Sequence, residues 1–268
     1  MKHIYERTAK YAKLAAFLIL AIYIAIVFIF KDIIWKDFET HFIVGFMFFI
    51  FYSISFIFQN AAEKLPAEHG LHSDYFSVEF PVKELNFQQD VSLIPQSYLV
   101  SNIGERLYKI EPSKEHSISR LLTACAIFKR GFFYPITYNL KTMDENLVCQ
   151  FTIKNKIKFI KLKVYDHANK QISTIVLPPI SVKNRAVIFN ANNEKILQME
   201  AKSMYGDIDV DDFNGKRLAT YRYGIFPYAT HPAFEVQAMN VHVKLAQDLT
   251  HTEKLTFAAL FYYWTGNQ

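Results

Sequence analysis

The sequence contains little cysteine and little glycine, and these shortages exclude several classes of protein. Only two of its 268 residues are cysteines, Cys125 and Cys149, so it is not a disulfide-stapled secreted scaffold. Its eight glycines form neither a phosphate-binding loop nor the Gly-x-Ser-x-Gly elbow of serine hydrolases. The nine histidines are scattered without the spacing of metal ligands. We therefore expect a non-enzymatic protein with no catalytic residues, no metal and no cofactor.

Charge is absent from two long apolar segments, 14–30 and 42–62, near the start of the chain. With a rise of 1.5 Å per residue, helices of these lengths reach about 25 to 30 Å, which is enough to cross a bilayer core. No small-residue cleavage site follows the first segment, which argues against a cleaved signal peptide. The sequence thus predicts two transmembrane helices within 14–62, joined by a short external loop at 31–41.

The basic residues that flank these segments predict their orientation. The N-terminal tail, 1–13, contains four Lys and Arg residues, whereas the loop contains two. By the positive-inside rule, the tail and everything after the second helix lie in the cytoplasm. This pattern indicates a two-pass cell-membrane protein, of a bacterial type, with both termini cytoplasmic.

Beyond a predicted linker at 63–75, the chain reads as short strands rich in Val, Ile, Phe, Tyr and Thr. Four segments share one pattern: Ser, Asp or Asn, then two residues, Gly or Asn, two polar residues, and Leu or Ile. In a hairpin turn the first residue binds nearby backbone N–H groups, and Gly or Asn takes the position with positive φ. Four such hairpins predict at least eight strands in 76–268. The segments are 101–107, 166–172, 190–196 and 212–218.

The C-terminal stretch "LTFAALFYYW", 255–264, is apolar except for Thr256 and is about half as long as a membrane span. Thr250 or Thr252 is suited to cap a helix here, and Glu253 would lie in its first turn. Because a helix that is apolar all round must be enclosed by protein, we predict that a barrel surrounds it. The predicted fold is mainly β: an antiparallel closed barrel of hairpins around a hydrophobic C-terminal helix, preceded by an α-helical transmembrane hairpin. The core residues predicted on this helix are Leu255, Phe257, Leu260, Phe261 and Trp264.

A barrel of hairpins with these turns that closes on an apolar C-terminal helix resembles the tubby C-terminal-like superfamily. That group includes tubby proteins, LURP-one-related proteins and phospholipid scramblases. The resemblance covers roughly 76–268 and is carried by the four turns, by 206–221 and by 248–264. It implies a tubby-like barrel that binds lipid or protein. The palmitoylated cysteine cluster of scramblases is missing, and no motif carries over the phosphoinositide-binding residues of tubby proteins.

The densest cluster of charge is "KNKIKFIKLK", 154–163. Its lysines alternate with other residues and then change phase, so a strand with a bulge near Phe159–Ile160 would place all of them on one face. Such a face would either contact anionic lipid head groups or form the solvated side of a barrel strand. The candidate lipid-binding residues are Lys154, Lys156, Lys158, Lys161 and Lys163.

A second charged segment, "DIDVDD" at 207–212, places three carboxylates on one side of a predicted strand. Carboxylates in a group are suited to Ca²⁺, but the spacing does not match an EF-hand loop and one strand supplies too few oxygens. The sequence leaves open whether this segment binds calcium or is a solvated strand that leads into a turn.

Taken together, these features predict a membrane-anchored, non-enzymatic module that presents a barrel at the cytoplasmic leaflet and binds lipid or protein. Its expected partners are membrane lipids, anionic ones among them, and an integral membrane protein, but not nucleic acid. Two alternatives remain open: scramblase-like lipid translocation, and an accessory or immunity protein that acts on a membrane-active toxin or an integral partner.

Overall fold

The computed structural model describes residues 1–30, 38–65, 83–92, 94, 96–115, 120–121, 123–124, 130–178, 185–200, 207–212, 214–224, 234 and 240–265. The chain divides into two compact units. The first comprises Met1–His69 and Ala229–Val236, and the second comprises Gly70–Tyr228 and Gln237–Gln268.

The first unit contains two long apolar helices, α1 (Lys2–Ile29) and α2 (Phe38–Lys64). Both are long and apolar enough to cross a membrane by length and composition. The second helix begins four residues before Phe42 and continues to Lys64. Trp35 and most of the predicted loop and linker lie outside the described residues.

The two helices pack against each other through small residues and aromatic edges. Ala9, Ala12 and Ala16 of α1 are buried, as is Ser55 of α2, and small residues of this kind let two helix backbones approach closely. Phe17 and Phe48 meet edge to face, with their ring centroids 5.9 Å apart. The large apolar side chains on the outer faces remain exposed, as expected of helices that face lipid.

The second unit contains an antiparallel sheet with twelve strands among the described residues. Consecutive strands are neighbours from β1 to β9, and β12 pairs with β1 on one side and with β11 on the other. The strands are β1 (Glu84–Asp90), β2 (Gln96–Val100), β3 (Arg106–Pro112), β4 (Ile136–Thr142), β5 (Leu147–Lys156), β6 (Phe159–Asp166), β7 (Gln171–Leu177), β8 (Arg185–Asn190), β9 (Lys195–Glu200), β10 (Ile208–Asp211), β11 (Arg217–Gly224) and β12 (Asn240–Leu245).

The sheet curls into a nearly closed barrel whose two edge strands are β9 and β10. The predicted barrel is thus confirmed, with one difference: among the described residues, no backbone pairing joins these edges. Strand β10 is only four residues long, so it offers few groups for such pairing.

Because every pairing is antiparallel, all even-numbered strands run in one direction and the connections that follow them lie at one end of the barrel. We call this the turn end. Five connections there are five-residue turns in which the first residue exchanges backbone hydrogen bonds with the fourth and fifth. The fourth residue has φ between 60° and 82°. These residues are Gly104, Glu145, Asn169, Asn193 and Gly215.

Four of these turns are the predicted ones, and the prediction of Gly or Asn at the positive φ is confirmed in each. At 166–170 the Asp166 Oδ1 atom accepts hydrogen bonds from the backbone N–H groups of Ala168 and Lys170, both at 2.9 Å. The fifth turn, 142–146, begins with a threonine and places Glu145 at the positive φ. Each turn is accompanied by a shift in strand register, which is typical of a β-bulge.

Helix α3 (His251–Thr265) follows β12 and forms one hydrophobic core with the inward-facing side chains of the barrel. Thr250 is its cap: the Thr250 N–H donates to the Glu253 carboxylate at 2.8 Å, and the Glu253 N–H donates back to Thr250 Oγ1. Every residue from Leu255 to Thr265 is buried. The five residues predicted as core are each no more than 2% exposed.

Candidate lipid-contact surface

The five lysines lie on a hairpin rather than on one bulged strand. Strand β5 ends at Lys156, a two-residue turn follows, and β6 begins at Phe159. The predicted bulge near Phe159–Ile160 is therefore wrong, because the change of phase marks a reversal of the chain. We call this element, with its five lysines, the basic hairpin.

The reversal nevertheless places the strand lysines on one face. Ile153, Ile160 and Leu162 point into the core and are buried, so the residues that alternate with them point outward. Lys154 lies directly opposite Lys161 in the ladder. The four outward-facing strand lysines are Lys154, Lys156, Lys161 and Lys163, and exposed Lys158 lies in the turn.

This concentration of positive charge differs from the other charged groups on the barrel. Lys141 Nζ lies 2.9 Å from Glu111 and 3.2 Å from Glu145, and Lys109 also pairs with Glu145. Burial opposes the charge of Lys141, but its hydrogen bonds to the two carboxylates raise its pKa overall. The ion pairs between described residues include none of the five lysines of the basic hairpin. Like charges directly opposed on a sheet destabilise it, so Lys154 and Lys161 are suited to an external anion.

Apolar side chains are exposed beside these lysines. Ile157, in the hairpin turn, is 95% exposed, and Lys156 Nζ lies over the Phe159 ring, 5.4 Å from its centroid. Next to the hairpin, Phe133 is 87% exposed, and Phe132 and Tyr134 are also exposed. We call residues 132–134 the aromatic loop. No local pattern in the sequence marks this loop, because phenylalanine in a barrel is normally assigned to the core.

The aromatic loop is held against the hairpin by its first neighbour, Gly131. The backbone N–H of Asn155 donates to the Gly131 carbonyl at 3.0 Å. A Cβ atom at Gly131 would lie 2.4 Å from the Ile153 carbonyl oxygen, so only glycine allows this approach. The loop and the hairpin therefore form one surface.

The carboxylates of the acidic segment 207–212 pair with arginines and with backbone N–H groups of the turn that follows. Asp209 accepts from Arg222 at 2.5 Å and from Arg217 at 2.8 Å, and Asp211 also pairs with Arg217. Asp212 accepts the backbone N–H groups of its own turn. In the part of the chain that the structure describes, no group of three or more His, Cys, Asp or Glu side chains is placed to hold a metal ion.

The one described cysteine is chemically protected. Cys149 is fully buried in the barrel core, and burial raises the pKa of its thiol far above the usual range. A thiol in this state is a poor nucleophile, because the thiolate is the reactive form. Cys125 lies outside the described residues.

Comparison with known proteins adds no relative on which to base a function. No protein-family model, curated protein or solved structure matches the chain. The features of the chain that bear on function are therefore those of its own surface, the basic hairpin and the aromatic loop.

Proposed function

We propose that the protein is a membrane-anchored, non-enzymatic module that binds anionic lipid at the cytoplasmic leaflet through the basic hairpin. The observation that carries the proposal is the set of five lysines on one hairpin, two of which lie directly opposite each other in the ladder. None of the ion pairs between described residues involves these lysines. Near an anionic membrane surface each Lys or Arg contributes roughly 1 kcal/mol, so five are enough for stable contact.

The membrane anchor supports the same proposal. Two helices that are apolar enough to cross a bilayer tether the barrel, and the four basic residues in the N-terminal half of α1 favour a cytoplasmic location for it. Tethering raises the effective concentration of the barrel at the leaflet, so each contact need only be weak. We also propose a relation to the tubby C-terminal-like superfamily, supported by the order of hairpins and by the apolar helix that follows the last strand.

Capture of vesicles by the full chain tests this function. The chain is held in nanodiscs of neutral phosphatidylcholine, the discs are immobilised, and vesicles that contain phosphatidylglycerol are passed over them. With Gln in place of all five lysines of the basic hairpin, we expect capture to fall about tenfold or more, since a tenfold change corresponds to only 1.4 kcal/mol. Vesicles of phosphatidylcholine alone should be captured weakly by the unchanged protein.

A control variant removes the same charge from the turn end of the barrel. Its five exposed lysines are replaced by Gln and should leave capture within about twofold, because they lie at the end of the barrel opposite the hairpin turn at 157–158. Equal loss in both variants, or capture that does not depend on phosphatidylglycerol, would overturn the lipid proposal and favour a protein partner. The control lysines are Lys83, Lys170, Lys195, Lys216 and Lys244.

A further inference from the structure

We infer that the barrel inserts one end into the membrane interface: the aromatic loop and Ile157 enter the bilayer, and the lysines of the basic hairpin stay at the phosphates. This inference rests on the proposed function and adds to it the surface and the depth of contact. The partner is an anionic bilayer, as the adjoining positive charge indicates.

The composition of this end matches what a membrane interface accepts. Aromatic side chains are enriched at the level of the head groups, and lysines can extend their charge to the phosphates while their stems stay in apolar surroundings. Here Phe133 and Ile157 are almost fully exposed, and Lys156 and Lys158 flank Ile157 in the chain. A water-soluble surface gains nothing from exposing apolar groups of this size.

The backbone shows that this exposure is built into the loop. Phe133 has φ of 64°, a left-handed conformation that non-glycine residues seldom adopt, and the Tyr134 N–H donates to the Phe132 carbonyl at 2.7 Å. Gly131 fixes the start of the loop against β5. A tight turn anchored in this way presents its rings outward in a defined geometry, so they need little reordering on insertion.

The turn end of the barrel has a different surface. Its turns are capped by their own Ser, Thr, Asp or Asn side chains, which accept the backbone N–H groups. Ile103, in the turn at 101–105, is 57% exposed, and its chain neighbours Asn102 and Gly104 are uncharged, unlike those of Ile157. It is therefore a matched position at which an exposed apolar side chain should stay in water.

Quenching by lipids with brominated acyl chains tests the inference on the full chain in phosphatidylcholine–phosphatidylglycerol nanodiscs. In a Trp35→Phe background, Phe133→Trp places a reporter in the aromatic loop, while Trp264, 1% exposed in the barrel core, provides a constant emission. We expect the brominated lipids to quench the added emission, because an aromatic ring at the head-group level lies against the acyl chains. Ile157→Trp is a second reporter for use if Phe133→Trp does not fold.

Ile103→Trp in the same background is the control and should not be quenched. Equal quenching of both reporters, or quenching of neither, would overturn the inference. The result is separable from the vesicle experiment: lysine-dependent capture without quenching of the aromatic loop would leave lipid binding in place and remove insertion. Quenching without lysine-dependent capture would keep insertion and remove the electrostatic role.

Discussion

Both units contain apolar helices, but the side chains of these helices differ in how far they are exposed. On α1 and α2 many large apolar side chains are exposed, among them Leu18 at 58% and Phe49 at 64%. On α3 no side chain from Leu255 to Thr265 is more than 9% exposed. The pair α1 and α2 can leave this surface to lipid, whereas α3 is shorter than a span and obtains its apolar surroundings from twelve strands.

An aspartate placed on α3 and one placed on α1 should differ most in their effect on the stability of the barrel. We expect Leu260→Asp to unfold the barrel, because replacing a buried leucine by an unpaired polar group costs several kcal/mol, a large part of the roughly 5–15 kcal/mol by which a domain is stable. Leu18→Asp should leave barrel stability unchanged and make the free energy of membrane insertion of α1 less favourable by roughly 2.5–3.5 kcal/mol. Unfolding of the full chain in detergent is followed by Trp264 fluorescence, with both variants made in the Trp35→Phe background.

These two variants can contradict the comparison. If the Leu260→Asp protein unfolded in the same way as the unchanged protein, α3 would not depend on the barrel for its apolar surroundings. A barrel destabilised by Leu18→Asp would mean that α1 contributes to the barrel fold.

Much of the barrel was predictable because its turns follow a local rule. Asp166 and its equivalents accept nearby N–H groups, and Gly or Asn accepts positive φ, so each such turn can be recognised in isolation. The turn at 142–146 was missed because Glu145 takes the position where Gly or Asn is expected. Its carboxylate pairs with Lys141, four residues earlier, and with Lys109 on the neighbouring strand β3. The contact with Lys109 is long-range and supports a conformation that is locally unfavourable.

The candidate site was only half predictable. The lysines were found from their density, but their hairpin was not, because Ile157 and Lys158 are not residues that mark a turn. The aromatic loop could not be found in this way, since its exposure depends on the approach of Gly131 to Ile153 in a strand that comes later in the chain. Exposure of a phenylalanine is a property of the tertiary structure and leaves no local pattern.

A buried pair of hydroxyl groups joins α3 to strand β7 of the barrel, a contact that α1 and α2 should not depend on. Ser173 Oγ lies 2.8 Å from Thr256 Oγ1, and both residues are buried. We expect Thr256→Val to cost about 1–3 kcal/mol, because it leaves the Ser173 hydroxyl without this partner. Chemical denaturation of the full chain in detergent measures the loss.

The double variant Ser173→Ala/Thr256→Val should recover part of that stability, as expected of a coupled pair. Tyr52→Phe on α2, where Tyr52 is 46% exposed, should not change barrel unfolding. Strictly additive losses at positions 173 and 256 would show that the two hydroxyls are not coupled.

The smallest effect concerns how the helices begin. Met1, the residue before α1, makes no side-chain cap, whereas α3 starts with the reciprocal hydrogen bonds of Thr250 and Glu253. We expect Thr250→Ala to destabilise the barrel by about 1 kcal/mol, and Thr250→Ser to preserve it, because serine offers the same acceptor. Denaturation of the three proteins side by side decides this. Equal stability of the alanine and serine variants would mean that enclosure by the barrel alone holds the first turn of α3, which would then form without a side-chain cap, as α1 does.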